Sequence, residues 1–155
     1  MDETHGLDGQ LAVSSRFLFE VDDVEIGVFA QVSGLEVSVG VESYEEGGTN
    51  GFVHQLPGRM TWPRLVLRRG ITDSDALFEW IQKSAGEGFT ANGNKLVRST
   101  GAVTILGSDG SRLRSWEFSD AFPVRWSGPK LDATTNSPLD EELEVAHHGF
   151  RSKTF

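Results

Sequence analysis

Large apolar side chains recur at every second position in two stretches near the start of the chain. The first covers residues 17–21 and the second residues 24–32, with Asp22-Asp23 between them. A period of two is typical of β-strands, and two such runs around a short polar turn predict a β-hairpin. Residues 33–34 interrupt the pattern, and a third alternating run over 37–41 predicts a further strand.

The next stretch has almost no residue suited to a hydrophobic core. It runs from Tyr44 to Gly51 and continues through Leu56, Pro57 and Gly58. About a dozen residues without core-forming character are unusual inside a small domain, and such loops are usually functional or disordered.

The middle of the chain predicts one strand and one helix. Residues 62–69 alternate again, and Pro63 cannot donate to a ladder, so this strand either lies at a sheet edge or begins there. Residues 72–75 then supply a helix start, and the apolar side chains of residues 77–85 recur at helical spacing until Gly86 and Gly88. This amphipathic pattern predicts a helix packed on a sheet.

The C-terminal half returns to strand patterns. Residues 101–106 and 112–118 flank a turn that contains Asp109-Gly110, a strong hairpin signal. Residues 122–126 alternate next, and residues 139–145 predict a last strand that ends near His147. The succession of strands, one helix and strands predicts a mainly β fold, a barrel or sandwich with one helix packed on the sheet.

The length of 155 residues fits one domain. Residues 1–14 are acidic and unpatterned and are expected to form a flexible N-terminal arm, which leaves 15–155 as a single domain. The formal net charge is −9. Nucleic acid and anionic lipid are therefore poor candidates for the main partner, because binding them requires clustered Lys and Arg.

Cysteine is absent, so disulfides, thiolate metal sites and cysteine nucleophiles are excluded together. No apolar run approaches the roughly 20 residues of a membrane span, and the N-terminus lacks the features of a signal peptide. We expect a protein that is made and kept in the cytoplasm, or that leaves it by a route the sequence does not encode.

The sequence contains no recognisable catalytic constellation, and we predict no enzyme and no cofactor. His147 and His148 would point to opposite faces of a strand, which disfavours a shared metal and favours a half-buried histidine with a local hydrogen bond. The stretch 88–95 resembles a phosphate-binding loop only faintly. The acidic groups at 22–23, 45–46 and 140–142 are expected to lie on solvated faces.

The four tryptophans could in principle stack sugars or bases. They are Trp62, Trp80, Trp116 and Trp126, and each lies within an alternating or helical apolar pattern. Core packing is therefore the favoured interpretation for all four.

The order of several short motifs resembles a known family. In the first half these motifs are Val32-Ser33-Gly34-Leu35-Glu36-Val37, Tyr44-Glu45-Glu46-Gly47-Gly48-Thr49-Asn50, Leu56-Pro57-Gly58 and Leu67-Arg68-Arg69-Gly70. In the second half they are Trp116-Glu117-Phe118, Ala121-Phe122-Pro123-Val124, residues 128–133 and residues 142–147. Together they resemble the inner-tube proteins of contractile phage tails and of phage-tail-like contractile injection systems.

The resemblance implies a β-barrel-like fold with one helix, in subunits that form six-membered rings. These rings would stack into a hollow tube inside a contractile sheath, and the sheath would drive the tube through a target envelope. The implied partners are other copies of the chain, the sheath protein, baseplate and tube-initiator proteins, and cargo in the lumen. Whether the particle is released from the cell or docked at a membrane stays open.

On this reading, residues 42–60 form an extended arm or hairpin that reaches a neighbouring copy, with Pro57-Gly58 fixing the return of the chain. The residues predicted to make these contacts are Tyr44, Glu45, Glu46, Gly47, Gly48, Thr49, Asn50, Gly51, Leu56, Pro57 and Gly58. Two alternatives are a tube-initiator ring of the baseplate, which Pro63 and Pro138 keep open, and a monomeric ligand-binding β-barrel.

Overall fold

The computed structural model describes residues 16–45, 47–48, 51–85, 93 and 97–155. The predicted N-terminal arm, residues 1–14, lies outside the described residues. So does the phosphate-loop-like stretch 88–95, apart from Gly93.

The described chain is mostly strand. The strands are β1 (Arg16–Val21), β2 (Val24–Phe29), β3 (Gln31–Ser33), β4 (Ser38–Tyr44), β5 (His54–Thr61), β6 (Leu65–Gly70), β7 (Ser99–Leu106), β8 (Arg112–Ser127), β9 (Asp140–Ala146) and β10 (Phe150–Thr154). One helix, α1 (Ala76–Ala85), lies between β6 and β7. The predicted class, mainly β with one packed helix, is confirmed.

The predicted first hairpin is present as β1 and β2. Its two turn residues, Asp22 and Asp23, both have positive φ, of 49° and 64°. Two successive residues of this kind form the turn whose twist matches that of the flanking strands.

The main sheet closes on itself. Its strands follow the order β2-β1-β7-β8-β9-β6-β3, so β2 and β3 stand at opposite ends. Only Ala30 separates these two strands in the chain, and its backbone N–H donates to the carbonyl of Arg68 on β6. The segment from β2 to β3 therefore leaves β1 and joins β6, which completes a barrel.

Strand β6 is paired on both sides, with β3 and with β9. The edge position considered for this strand is therefore wrong. Pro63 lies in the break between β5 and β6, so the alternative that the strand begins after the proline is the correct one.

Strand β8 is long enough to serve two partners on the same side. Its first half pairs with β10 and its second half with β9, while β7 runs along the other side. The change of partner falls at Asp120, which has a φ of 51°. The prediction that the strand before His147 is the last one is wrong, because Gly149 turns the chain into β10.

Helix α1 begins as predicted. The backbone N–H of Glu79 donates to the carbonyl of Asp75, and that of Ala76 lies 3.4 Å from the hydroxyl of Ser74. Leu77 and Trp80 face the barrel and are buried, whereas Phe78 is exposed.

The barrel interior is filled by side chains. The largest fully buried ones include Phe19, Phe29, Phe118, Leu65, Leu67, Leu77 and Leu143. Phe19 contacts both Phe29 and Trp80 in edge-to-face geometry, with ring centroids 6.3 and 5.5 Å apart. Trp80 is thus a core residue as predicted, whereas the core position predicted for Trp126 is wrong, because this residue is 38% exposed.

One ion pair lies inside this core. Arg69 Nε donates to Glu141 Oε1 over 2.6 Å, and the two side chains are only 5% and 6% exposed. The other oxygen of Glu141 accepts a bond from the indole N–H of Trp126, and the guanidinium of Arg69 lies over the ring of Phe29. The expectation that all of residues 140–142 lie on a solvated face is therefore wrong for Glu141.

We predict that Glu141→Ala destabilises the subunit by about 3–5 kcal/mol, because it leaves the guanidinium of Arg69 buried without its charge partner. The measurement is the free energy of unfolding in urea.

The matched control is Glu142→Ala, one residue away on the same strand. Glu142 pairs with Arg68, which is half exposed, so its loss should cost at most about 1 kcal/mol. Equal losses for the two variants would contradict the assignment of a structural role to the buried pair.

Candidate inter-subunit surface

Most of the predicted contact residues belong to one β-hairpin. Strands β4 and β5 pair with each other and with no other described strand, so they form a separate two-stranded sheet. Tyr44 ends β4, Glu45 follows it, Gly47-Gly48 lie in a turn and Gly51 in a bend, and Leu56, Pro57 and Gly58 are part of β5. Glu46, Thr49 and Asn50 lie outside the described residues.

The pairing of β4 with β5 contradicts the turn that was expected at Pro57-Gly58. Pro57 pairs with Val41 in the middle of the hairpin, so these residues do not turn the chain back. The register shifts between Val39 and Val41, and a Cβ added at Gly58 would lie 3.0 Å from the carbonyl oxygen of Gly40. The two glycines therefore permit close approach of the two strands at an irregular pair.

The hairpin is exposed on both faces. Every residue of β4 is exposed, and in β5 only His54 and Gly58 are partly covered. Half of the exposed large hydrophobic residues in the described part of the chain fall between positions 37 and 60. They are Val37, Val39, Val41, Tyr44, Phe52, Val53, Leu56 and Met60.

Such a concentration of exposed apolar side chains is typical of an interaction surface. The sequence predicted a strand from Val37, Val39 and Val41, but these valines were not among the residues predicted to contact a neighbouring copy. The sequence does indicate that this face is exposed. Val37, Val39 and Val41 form one apolar face, and no apolar run in residues 42–51 follows that could cover it.

Aromatic rings order the far end of the hairpin. The ring of His54 lies 4.9 Å from that of Phe52 and 6.3 Å from that of Tyr44, measured between centroids. Tyr44 and His54 are also direct cross-strand partners, which places their side chains on the same face.

The near end of the hairpin joins the barrel beside a buried histidine. His147 Nε2 lies 3.1 Å from the carbonyl oxygen of Pro63, and the backbone N–H of Gly149 donates to His147 Nδ1 over 3.0 Å. The ring also packs against Phe118, with centroids 4.9 Å apart. The predicted local hydrogen bond is present, but the side chain is more deeply buried than the half-buried position predicted, with an exposure of only 8%.

These two contacts define the tautomer of His147. Nδ1 accepts a bond and so carries no proton, whereas Nε2 carries the proton that it donates to Pro63. Burial lowers the pKa of His147 below its ordinary value, because the charged imidazolium is poorly solvated there.

The neighbouring His148 points outward, as expected for adjacent residues. It contacts Asp120 and Arg98, at 3.2 Å from Nδ1 and 2.8 Å from Nε2. Within the described residues, no three His, Cys, Asp or Glu side chains gather in a group that could hold a metal ion. No helix in that part of the chain is long and apolar enough to cross a membrane.

The described residues line several clefts. One between α1 and β2, lined by Val24, Trp80 and Ser84 among others, has a volume of about 170 Å³, and one lined mostly by polar residues, including Glu20, Asp23 and Glu117, measures about 380 Å³. A ligand-binding barrel needs a cavity in its interior, and large side chains such as Phe19, Phe29 and Phe118 fill the interior of this one. The monomeric ligand-binding barrel is therefore not supported.

A closed barrel with one packed helix and a projecting hairpin defines the class of tail-tube folds, and comparison with solved structures places the chain there. It matches the sheath–tube complex of the extracellular contractile injection system PVC, in the extended state, with a TM-score of 0.78 and 24% identity over 100% of both chains. It matches the PVC sheath/tube terminator with a TM-score of 0.74 and 26% identity, over 94% of this chain and 97% of that one.

A third match is the baseplate of the anti-feeding prophage (AFP), with a TM-score of 0.71 and 23% identity over 94% of this chain and 95% of that one. A comparison with curated protein sequences gave no significant match.

The profile of the T4-like virus tail tube protein gp19 family matches residues 13–151. The chain belongs to this family. It is an inner-tube subunit, and the resemblance inferred from its ordered motifs is confirmed.

We predict that Gly58→Ala weakens pairing between β4 and β5 while the barrel stays intact, because the added methyl group would press on the Gly40 backbone. In the variant, hydrogen–deuterium exchange should then be faster than in the wild type for residues 38–44 and 54–61, and unchanged for β7. Gly47→Ala serves as the control, since a Cβ there meets nothing within 4 Å. Unchanged exchange in the Gly58 variant would refute the proposed close approach.

Proposed function

We propose that the chain forms six-membered rings that stack into a hollow tube, and that the β4–β5 hairpin supplies the contact between neighbouring copies. The observation that carries this proposal is the isolation of the hairpin: its two strands pair with no other strand among the described residues, and exposed apolar side chains lie on both of its faces. Family membership supports the tube, and the hairpin supports the place of the contact.

The energetics favour a surface that is completed by assembly. Each Å² of apolar surface removed from water contributes roughly 25 cal/mol, and the hairpin with the preceding Val37 holds eight large apolar side chains already exposed. Its strands are ordered by their own hydrogen bonds before any neighbour arrives. Contacts therefore need not offset the roughly 1–2 kcal/mol per residue that ordering a flexible loop would cost.

The hairpin also offers unpaired strand edges. Strands β1, β6, β7, β8 and β9 have a partner on each side, whereas β4 and β5 each have one unpaired edge among the described residues, as do β2, β3 and β10. Open edges pair readily with another chain, so a second copy is the natural partner. A stack of identical rings is open-ended along its axis, and its length must be set by another component.

The remaining partners follow from what the related particles contain. Matched structures are described as a sheath–tube complex, a terminator and a baseplate, so we propose a sheath, a terminating protein and a baseplate as partners of this tube. The lumen would carry cargo. The subunit acts as a structural component without catalysis, made in the cytoplasm and assembled there into a phage-tail-like particle.

Deletion of residues 45–51 should leave the barrel folded and abolish tube formation, because it removes the hairpin's end and disrupts its pairing. Circular dichroism checks the fold, and negative-stain microscopy of the concentrated protein checks for tubes. Tubes of normal length from the deletion variant would contradict the proposed hairpin contact.

A point substitution gives a sharper test with a matched control. Leu56→Asp places a charge in the hairpin surface and should lower tube yield strongly, since the carboxylate would have to lose water on assembly. Leu131→Asp makes the same change at an exposed leucine in the loop before β9 and should leave the yield near that of the wild type. Equal yields for the two variants would argue against the hairpin contact.

A further inference from the structure

We propose that His147 is the positioning residue of the β4–β5 hairpin: its ring holds Pro63 to Gly149 and so fixes the direction in which the hairpin leaves the barrel. The importance of this direction for assembly rests on the function proposed above. The positioning itself does not, because it is a property of the single subunit.

Both ring nitrogens of His147 are used. One donates to the carbonyl of Pro63, in the three-residue break between β5 and β6, and the other accepts from Gly149, in the turn between β9 and β10. The ring cannot rotate about its Cβ–Cγ bond without losing both bonds. It therefore links the near end of the hairpin to the strands of the barrel.

Aromatic packing stabilises the same junction between the hairpin and the barrel. Trp62 lies against Gly149, where a Cβ would be 3.0 Å from Trp62 Cε2, and its ring is 5.1 Å from that of Phe150. Gly149 has a φ of 115°, a conformation that other residues rarely adopt. The turn thus brings its backbone directly under the tryptophan, and we call Trp62, Pro63, His147 and Gly149 the clamp.

The other strand of the hairpin enters beside the clamp. Gly34, with a φ of 91°, lies so close to the carbonyl of Arg64 that any Cβ there would overlap it. The segment leading into β4 is therefore held against the residue that follows Pro63. Since β4 and β5 pair with no other strand in the described part of the chain, the hairpin's angle depends on contacts at its base, among them the clamp, the contact of Gly34 and the packing of Leu35 on the core.

Protonation would open the clamp. An added proton must go to Nδ1, where the N–H of Gly149 already points, so two donors would face each other. Among charged groups on the surrounding segments, Arg64 pairs with Glu144 and Arg151 with Glu117, and His148 is the next residue along the chain.

The direction of the pH effect follows from the lowered pKa of His147. The neutral form is favoured in the folded state, so the clamp is fully present above the unfolded-state pKa of about 6.5 and is lost as pH falls through the lower folded-state pKa.

The absence of cysteine allows a direct test. Spin labels are placed on Ser43→Cys in the hairpin and Thr154→Cys in β10, and the distance distribution is measured by pulsed electron paramagnetic resonance on the full chain, kept dilute as dispersed subunits. We expect a narrow distribution near pH 8 and a wider one at an acidic pH, below the unfolded-state pKa of about 6.5, at which the subunit is still folded. An unchanged narrow distribution throughout the acidic range in which the wild type stays folded would overturn the proposal.

Three variants separate His147 from other groups. His147→Gln and His147→Phe should each give a wide distribution at both pH values, and the Phe variant keeps an aromatic ring in case the Gln variant does not fold. His148→Gln should behave like the wild type, with its midpoint moved slightly upward because a nearby positive charge is removed. A narrow distribution in the folded Phe variant, or loss of the pH response in His148→Gln, would also overturn it.

This result is independent of the tube assay. The label distance reports on a dispersed subunit, whereas the deletion of residues 45–51 reports on assembly. Tubes formed by the deletion variant would refute the hairpin contact and leave the distance measurement as the test of the clamp.

Discussion

The buried pair of Arg69 and Glu141 is the interaction on which the barrel depends. It joins β6 to β9 directly, reaches β8 through Trp126, and reaches β2 through the ring of Phe29. Gly27 on β2 leaves the space that the guanidinium occupies, since any Cβ there would overlap it. A buried pair of this kind adds little net stability, but a shift of one residue between β6 and β9 would break it and turn each buried side chain outward.

Part of this arrangement was readable from the sequence. The period-two pattern that places Leu65 and Leu67 inside also places Arg69 inside, and the pattern of Leu143 and Val145 does the same for Glu141. Composition suggested a solvated acidic cluster, and that reading was wrong because it treated neighbouring charges as equivalent. Alternation distinguishes them, whereas the pairing of one charge with the other depends on strand order, which a single sequence does not contain.

The projecting hairpin was harder to predict from apolar and polar alternation than the barrel strands. Strands were found wherever one face is apolar and the other polar, as in β1, β2 and β7. Strand β5 was expected only as part of an extended arm or hairpin over residues 42–60, with a turn at Pro57-Gly58, because both of its faces are exposed and Pro and Gly usually mark turns. Its partner β4 and the close approach at Gly40 make that strand possible. The buried His147 was expected to satisfy a local bond, but its contact with Pro63 joins segments that are 84 positions apart.

Strand β8 gives the subunit a mechanical property. Its 16 residues belong to two different pairings, with β10 at one end and β9 at the other. A tensile force applied at one end of β8 is transmitted to the other end through the covalent bonds of one backbone. It does not have to pass through the hydrogen bonds between strands. For a subunit of a tube, stiffness along this line is therefore set by the chain itself, and the weaker shear direction lies across the pairs of β8 with its neighbours.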